Sequence, residues 1–307
     1  RKRFPIEMVA VTGSSGKTTT KAMLAHLCAE TREVLATDGT KNNLVGVSLT
    51  VLRLESRHRT AVVEMGTNQW GAIRRLAEII PPTLGVLTHV GPAPLETFGD
   101  LQGVLRAKGE LWERMPPSAA LVLNADDPLL RDAGSKLSHR VVWFSATERN
   151  GSASGGGLGP TADVRASQVV AESSGSRCLV NNRWELKLPV PGLHNSMNAL
   201  AALACAQIVG IDLSSAVKRL ASFSPVPGRL VPFELEGCLV MDDTYNANPD
   251  SLKAALQVMS AIQRPGKKVA VLGDMLELGT QSEDFHRQAG RWVRETGVDF
   301  LITVGSL

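Results

Sequence analysis

The chain has 307 residues, more than one hydrophobic core usually serves, so two domains are expected. Its 33 basic and 30 acidic residues leave a formal charge of +3, too even to select a nucleic-acid partner or a membrane surface. With 43% apolar residues the chain is not a disordered one, and its aromatic share of 4% includes a single tyrosine, Tyr245.

Taken from the start, RKRFPIEMVAVTG has no signal-peptide core, and no apolar run anywhere approaches the ~18 residues of a membrane helix. The first residue is Arg1 rather than methionine, so a piece of a longer protein is expected. Residues 6–12 (IEMVAVT) read as a buried strand, followed by a Gly/Ser turn and a helix from Lys17. Similar units follow: strand 60–64, helix 71–80, strand 84–88, helix 100–114 and strand 120–124. Short apolar runs alternating with amphipathic helices predict an α/β fold whose parallel sheet is covered on both faces.

Residues 145–162 are too rich in Gly and Ser to pack and predict a flexible surface connection. VRASQVV, RCLVN and WELKLPV then predict a small antiparallel β patch with Asn181-Asn182 as a turn. A nearly all-apolar helix is expected over 196–209, and SPVPGRL (224–230) reads as an interdomain hinge. The strand–helix pattern restarts with CLVMDD, a helix over 250–261, KVAVLGD, a helix over 283–295 and DFLITVG. About three strands are too few for such a domain, so a truncated C-terminal domain is expected. The four cysteines (Cys28, Cys178, Cys205, Cys238) form no CxxC pair, which argues against a zinc site or a disulfide framework and fits a reducing compartment.

TGSSGKTTT (12–20) lies between a strand and a helix, the context of a phosphate-binding loop. Gly13 and Gly16 let backbone N–H groups of the loop, including those of Ser14, Ser15 and Thr19, face an anion at a helix N-terminus. Lys17 can reach β/γ-phosphates and the Thr18 hydroxyl can ligate Mg²⁺; Val11 stands where the general pattern has glycine. Glu64 ends an apolar strand, where a carboxylate can hold Mg²⁺ beside the loop or simply be solvated. Lys108 falls one helical step after Val104 and Leu105 and one before Leu111 and Trp112, on a stripe that also includes Leu101. A lysine on a buried stripe either snorkels or has altered chemistry. No Ser/His/Asp or Cys/His pairing stands out. Phosphate binding alone leaves kinases, GTPases, motors and ligases open.

The loop TGSSGKTTTK resembles that of the Mur ligases. So do NNLVGVSLTVL (42–52), VVEMGTNQWGAI (62–73), GPAPLETFG (91–99), RAKGEL (106–111), NADDP (124–128), GLHNSMNALAA (192–202), PVPGR (225–229), DDTYNANPDSLKAAL (242–256) and VLGDMLELG (271–279). These segments follow the family's order over nearly the whole chain. The resemblance implies a P-loop central ATPase domain (1–228), with a mostly parallel sheet and the small antiparallel patch, then a partial Rossmann-like domain (229–307). An N-terminal UDP-binding domain would be absent. EMGTN, DDTYNANPDS and LGDMLELG are most similar to the branch that joins D-Ala-D-Ala to UDP-MurNAc-tripeptide with ATP, through an acyl phosphate. Other ligases sharing the core (folylpolyglutamate or cyanophycin synthetases) and a weakly active nucleotide-binding homologue are the alternatives.

What the resemblance implies for residues is specific. Lys17, Lys108 and Arg229 serve catalysis, with Lys108 as a carbamate that ligates or orients around a second Mg²⁺. Glu64 and Thr18 hold Mg²⁺, His194, Asn195 and Asn198 face the nucleotide, Asp243 the ATP ribose, and Tyr245 and Asn246 the nucleotide or substrate. By their place in the chain rather than by resemblance, Asn124 and Asp126 follow a strand and contribute less specifically, and Asp274, Glu277 and His286 read as second-domain loop structure. The family's TN-x-GPAHLE reads THVGPAPLE here, with Pro94 at the position of a metal-ligating histidine. Either His89 supplies that nitrogen, or carbamate, phosphate and water hold the second ion, or catalysis is weakened; the second is favoured. A bacterial cytoplasmic monomer, with no nucleic-acid partner and no membrane insertion, is the expected setting.

Overall fold

The computed structural model describes residues 4–147, 161–172 and 174–307. In chain order its first elements are β1 (Glu7–Thr12), α1 (Lys17–Cys28), β2 (Val34–Ala36), α2 (Leu44–Leu52), β3 (Thr60–Glu64), α3 (Ala72–Ile79), β4 (Leu84–Leu87) and α4 (Leu95–Phe98). There follow α5 (Leu101–Arg114), β5 (Ala120–Asn124), α6 (Pro128–Gly134), β6 (Arg140–Ser145), β7 (Val164–Glu172), β8 (Gly175–Val180), β9 (Trp184–Leu188), α7 (Leu193–Ile208) and α8 (Leu213–Leu220). The strands join, among the described residues, in one sheet of order β2-β3-β1-β4-β5-β6-β7-β8-β9.

From β2 to β7 the neighbours are parallel, and β7-β8-β9 are antiparallel. The predicted antiparallel β patch is β7-β8-β9, and it extends the main sheet through the short β6–β7 pairing at Phe144–Val164 and Ser145–Arg165. Its turn residues Asn181 and Asn182 both have positive φ (51° and 54°), as a tight hairpin turn requires. The flexible connection expected over 145–162 lies, for residues 148–160, outside the described residues.

The period-2 alternation of β1 divides the core. Val9 and Val11 pack with Met23, Leu24 and Leu27 of α1 and the apolar run of α7, whereas Met8 and Ala10 pack with Ile73, Leu76, Val104 and Leu111 on the opposite face. Each large side chain buried in this way contributes about 1.5–3 kcal/mol, so the sheet is the rigid platform of the molecule. Val11 is itself fully buried, which explains why no glycine occupies that position. The expected helix over 196–209 begins three residues earlier, at Leu193.

Beyond the connection 224–230 come β10 (Val231–Leu235), β11 (Cys238–Asp242), α9 (Pro249–Ala261), β12 (Val269–Gly273), α10 (Ser282–Glu295) and β13 (Phe300–Val304). β10 and β11 form an antiparallel hairpin, and β12 and β13 a separate parallel pair. α9 starts where Asn248 caps it, with a reciprocal Asn248–Ser251 capping box and Pro249 in the first turn.

Candidate nucleotide and metal site

The parallel register brings the carboxyl ends of β1, β3, β4 and β5 to one edge, because Val11 pairs with Glu64, Thr12 with Leu87 and Leu87 with Leu123. Ligands of open α/β sheets bind at that edge. There a cavity of about 580 Å³ opens between the first half of the chain and α9 with its preceding loop. Its walls include Ser14, Ser15, Gly16, Lys17, Thr18, Thr19, Glu64, His89, His194, Asn195, Asn198, Arg229, Asp243, Tyr245 and Asn246. Residues from 14 to 258 converge on one cleft of nucleotide size.

The loop 13–16 is shaped by two glycines. Gly13 (φ 147°) and Gly16 (φ 78°) are left-handed, and a Cβ would strike the Thr88 hydroxyl at the first and the Asn198 amide at the second. The Lys17 ammonium folds back onto the carbonyls of Gly13 (2.8 Å) and Ser14 (3.3 Å). Burial lowers its pKa, Glu64 opposes that shift, and Arg229 adds to it.

Glu64 is fully buried at the floor of the cleft. Its Oε1 accepts from the Thr18 hydroxyl (3.2 Å) and from the Asn42 amide (2.8 Å), while Lys21 lies 3.4 Å from Oε2. Oε2 is buried yet has no hydrogen-bond partner of good geometry. A carboxylate with an unsatisfied oxygen next to a threonine hydroxyl suits a hard divalent cation, so the residues present fit Mg²⁺. Asn42 and Lys21 were missed from sequence; Lys21 lies one helical turn after Lys17, and that spacing was the available signal.

Lys108 is 2% exposed on α5, with no ion pair or hydrogen bond among the described residues. Burial pushes its amine well below the usual lysine range, and the positive charge of Lys17 pushes it the same way. Leu101, read as part of the same stripe, is instead 40% exposed because it opens the helix.

Asn195 and Asn198 are buried and turned toward protein. Asn195 donates to the Pro191 carbonyl (2.9 Å), and Asn198 donates to Asn195 (3.2 Å) while accepting from Thr20 (3.4 Å). Together they brace α7 against α1. His194 lines the cleft with its imidazole pushed down to about 4 by burial, so it is neutral at pH 7. Asn124 and Asp126 make internal bonds, Asn124 to the Thr88 carbonyl and Asp126 to Ser145, Ala146 and Thr147.

Across the cleft, the Arg229 guanidinium stacks 4.0 Å from the centre of the Tyr245 ring and reaches the Thr18 hydroxyl at 3.4 Å. Asp243 accepts from the Leu230 amide (3.1 Å), and burial raises its carboxyl to about 6 against the attraction of Arg229. Asn246 is exposed on the cleft wall. His286 accepts from the Met275 amide (3.0 Å) and Asp274 from the amides of Ser306 and Leu307, which are second-half loop contacts.

His89 does not present a ring nitrogen to the Glu64 region. Nδ1 lies 3.0 Å from Asp127 and Nε2 3.1 Å from Asp250. Burial works against the charged ring, but its bonds to Asp127 and Asp250 prevail and raise it to about 9. An imidazolium has no lone pair for a metal. Pro94, which precedes α4, offers no donor atom either.

Comparison with known proteins bears on this cleft. Residues 11–206 match the model of the Mur ligase middle domain, and residues 228–307 that of the Mur ligase glutamate ligase domain. The chain is 37% identical over 310 residues to the UDP-N-acetylmuramoyl-tripeptide--D-alanyl-D-alanine ligase of Escherichia coli (strain K12), covering 99% of this chain and 66% of that protein. It is 32% identical over 302 residues to the enzyme of the same name from Bacillus subtilis (strain 168), covering 98% and 63%. Among solved structures, MurF from Acinetobacter baumannii superposes with a TM-score of 0.87 at 34% identity, over 98% of this chain and 64% of that one. MurF ligase from Thermotoga maritima in complex with ADP gives 0.85 at 29% identity, over 99% and 71%. The chain thus spans just under two thirds of the length of the curated relatives it matches.

Proposed function

The chain belongs to the Mur ligase family, and from that premise we propose that it carries the nucleotide site of an ATP-dependent, ADP-forming amide ligase that joins D-Ala-D-Ala to UDP-MurNAc-tripeptide. In this reading residues 1–228 form the ATP-binding domain and 229–307 belong to the ligase domain, working in the bacterial cytoplasm. The observation that carries the reading is the convergence of Lys17, Thr18 and Glu64 with Arg229 and Tyr245 on one cleft.

The chemistry needs charge neutralised at the γ-phosphate and water kept out, rather than a covalent nucleophile. A peptide carboxylate oxygen attacks the γ-phosphorus, and the bond to ADP breaks. The dipeptide amine then attacks the acyl carbon of the acyl phosphate; phosphate leaves and the amine loses a proton. The loop amides after Gly13, the helix dipole of α1 and Lys17 cradle the phosphates. Arg229, held by stacking on Tyr245, adds a bidentate donor from the opposite wall as the cleft closes. Thr18 and Glu64 would hold Mg²⁺, which would supply charge neutralisation at the phosphates. Neutral His194 and the Gly192–Asn195 turn form an uncharged wall suited to the base, and Asp243 is a hydrogen-bonding group for the ribose.

Lys108, buried and short of partners, is in the state that favours carbamylation, since only a neutral amine attacks CO₂. A carbamate there would place an anion beside the positive charge of Lys17. The engagement of both His89 nitrogens favours a second ion held without that histidine. The test is phosphate release by the full-length protein with ATP, Mg²⁺ and UDP-MurNAc-tripeptide. Release that requires D-Ala-D-Ala is expected; ATP hydrolysis indifferent to both substrates would refute the proposal.

A further inference from the structure

We infer that His89 is an interdomain latch that ties the first turn of α9 to the phosphate loop and so holds the two walls of the cleft in register, an inference that rests on the nucleotide reading of that cleft. The His89 backbone is fastened to the loop: its carbonyl accepts from the Ser14 amide at 2.8 Å. Two residues on, Gly91 donates to the Ser14 hydroxyl (2.9 Å), which donates back to the Gly91 carbonyl (3.0 Å). Residues 89–91 therefore move with Ser14.

The His89 ring reaches the other way. Asp127 receives its Nδ1 and is itself immobilised by the Val90 amide (2.8 Å) and by its capping bonds to Leu129 and Leu130 at the start of α6. With one side of the ring so anchored, Nε2 points at Asp250, 161 residues further on in the first turn of α9. A carboxylate there is favoured by the helix dipole, and both bonds are charge-assisted. The approach is close: a Cβ on Gly91 would meet the Asp250 carboxylate and the His89 ring, so a larger residue there would have to displace the side chains that form the bond.

The elements joined are those that make the cleft. Asn248, Asp250 and Ser251 line it from α9, and Ser14 lines it from the loop. Fixing their separation favours the arrangement in which Arg229 reaches Thr18, and by linkage a nucleotide spanning both walls strengthens the latch. The role needs two donors on opposite sides of one short side chain. An asparagine at 89 could keep the bond to Asp127 but would fall short of Asp250.

ADP affinity, measured calorimetrically on the full-length protein, tests the latch through a double-mutant cycle of His89→Asn and Asp250→Ala. Each single variant should weaken ADP binding by about 3- to 10-fold, and the double variant no further than the weaker single. Hydrogen exchange of the α9 first turn should quicken in both singles while β1 and β3 keep the parent's protection. Additive losses, or unchanged affinity and exchange in both singles, would overturn the latch. If His89→Asn does not fold, Asp250→Ala decides, with parent-like exchange and affinity counting against the inference. A parent that binds no ADP refutes the nucleotide reading, and the exchange of α9 then still reports on the latch by itself.

Discussion

Lys108 shows how position alone changes what a side chain can do. Its place on the buried stripe of α5 was legible from helical spacing, since Val104, Leu105 and Leu111 flank it at three and four residues. What the spacing could not give was the lack of a counter-ion among the described residues, which depends on side chains brought in by folding. With no ion pair among the described residues, burial pushes the Lys108 amine well below the usual lysine range and so favours the neutral form, which adds CO₂ with loss of one proton. Under ¹³C-bicarbonate, the protein should show a carbamate carbon resonance that disappears in Lys108→Ala. The same variant should lose phosphate release by at least about 100-fold, some 2.7 kcal/mol of barrier, with partial return when short carboxylic acids are added. Full unassisted activity would exclude the carbamate. His89 teaches the opposite lesson: its partners are 38 and 161 residues away, and nothing in THVGPAPLE announces them.

Among the elements, the long alternation of apolar strands and helices was read within a residue or two, because each strand is buried on both faces and each helix carries a clear stripe. The misses have local causes. β2 has only three residues, and α2 (LVGVSLTVL) is apolar nearly all round, so it carries no period. β10 contains Pro232, which demotes a run to an edge strand, and it does pair on one side only, with β11. The start of α3 shows a cap that sequence neighbours cannot reveal. Its Ncap, Gly71, has no side chain, and the orphan amides are satisfied from α5: buried Glu110 accepts from the Gly71 amide (2.8 Å) and the Arg74 amide (3.1 Å). Glu110→Ala should therefore cost about 1–2 kcal/mol in denaturant unfolding, with Glu110→Gln in between. An unchanged midpoint in the alanine variant would show that water caps α3 equally well.

At the scale of the molecule, the two halves differ in what holds them. The first has two extensive cores on either side of the nine-stranded sheet. The second has a small cluster around Met275, Leu278 and Ala289, and β12–β13 leaves Val271, Phe300 and Val304 exposed. A half so lightly packed keeps its position largely through contacts with the first. Those contacts include the His89–Asp250 pair, a backbone bond from Glu96 to Glu277 (3.3 Å), the reach of Arg229 to Thr18 and the packing of Phe285 against the core of the first half. Arg229 sits just past Pro227-Gly228 in the connection, and its guanidinium faces Thr18 across the cleft. Lysine at this position keeps the charge but loses both the planar stack on Tyr245 and the fork that grips a phosphate. Arg229→Lys should lower kcat/KM for ATP by about 10- to 100-fold, or ~1.4–2.7 kcal/mol, while the melting temperature moves little, because the packed cores are untouched. Initial rates of phosphate release against ATP concentration measure this. A variant with the parent's kcat/KM would mean that Arg229 serves the connection between the halves and not the phosphates.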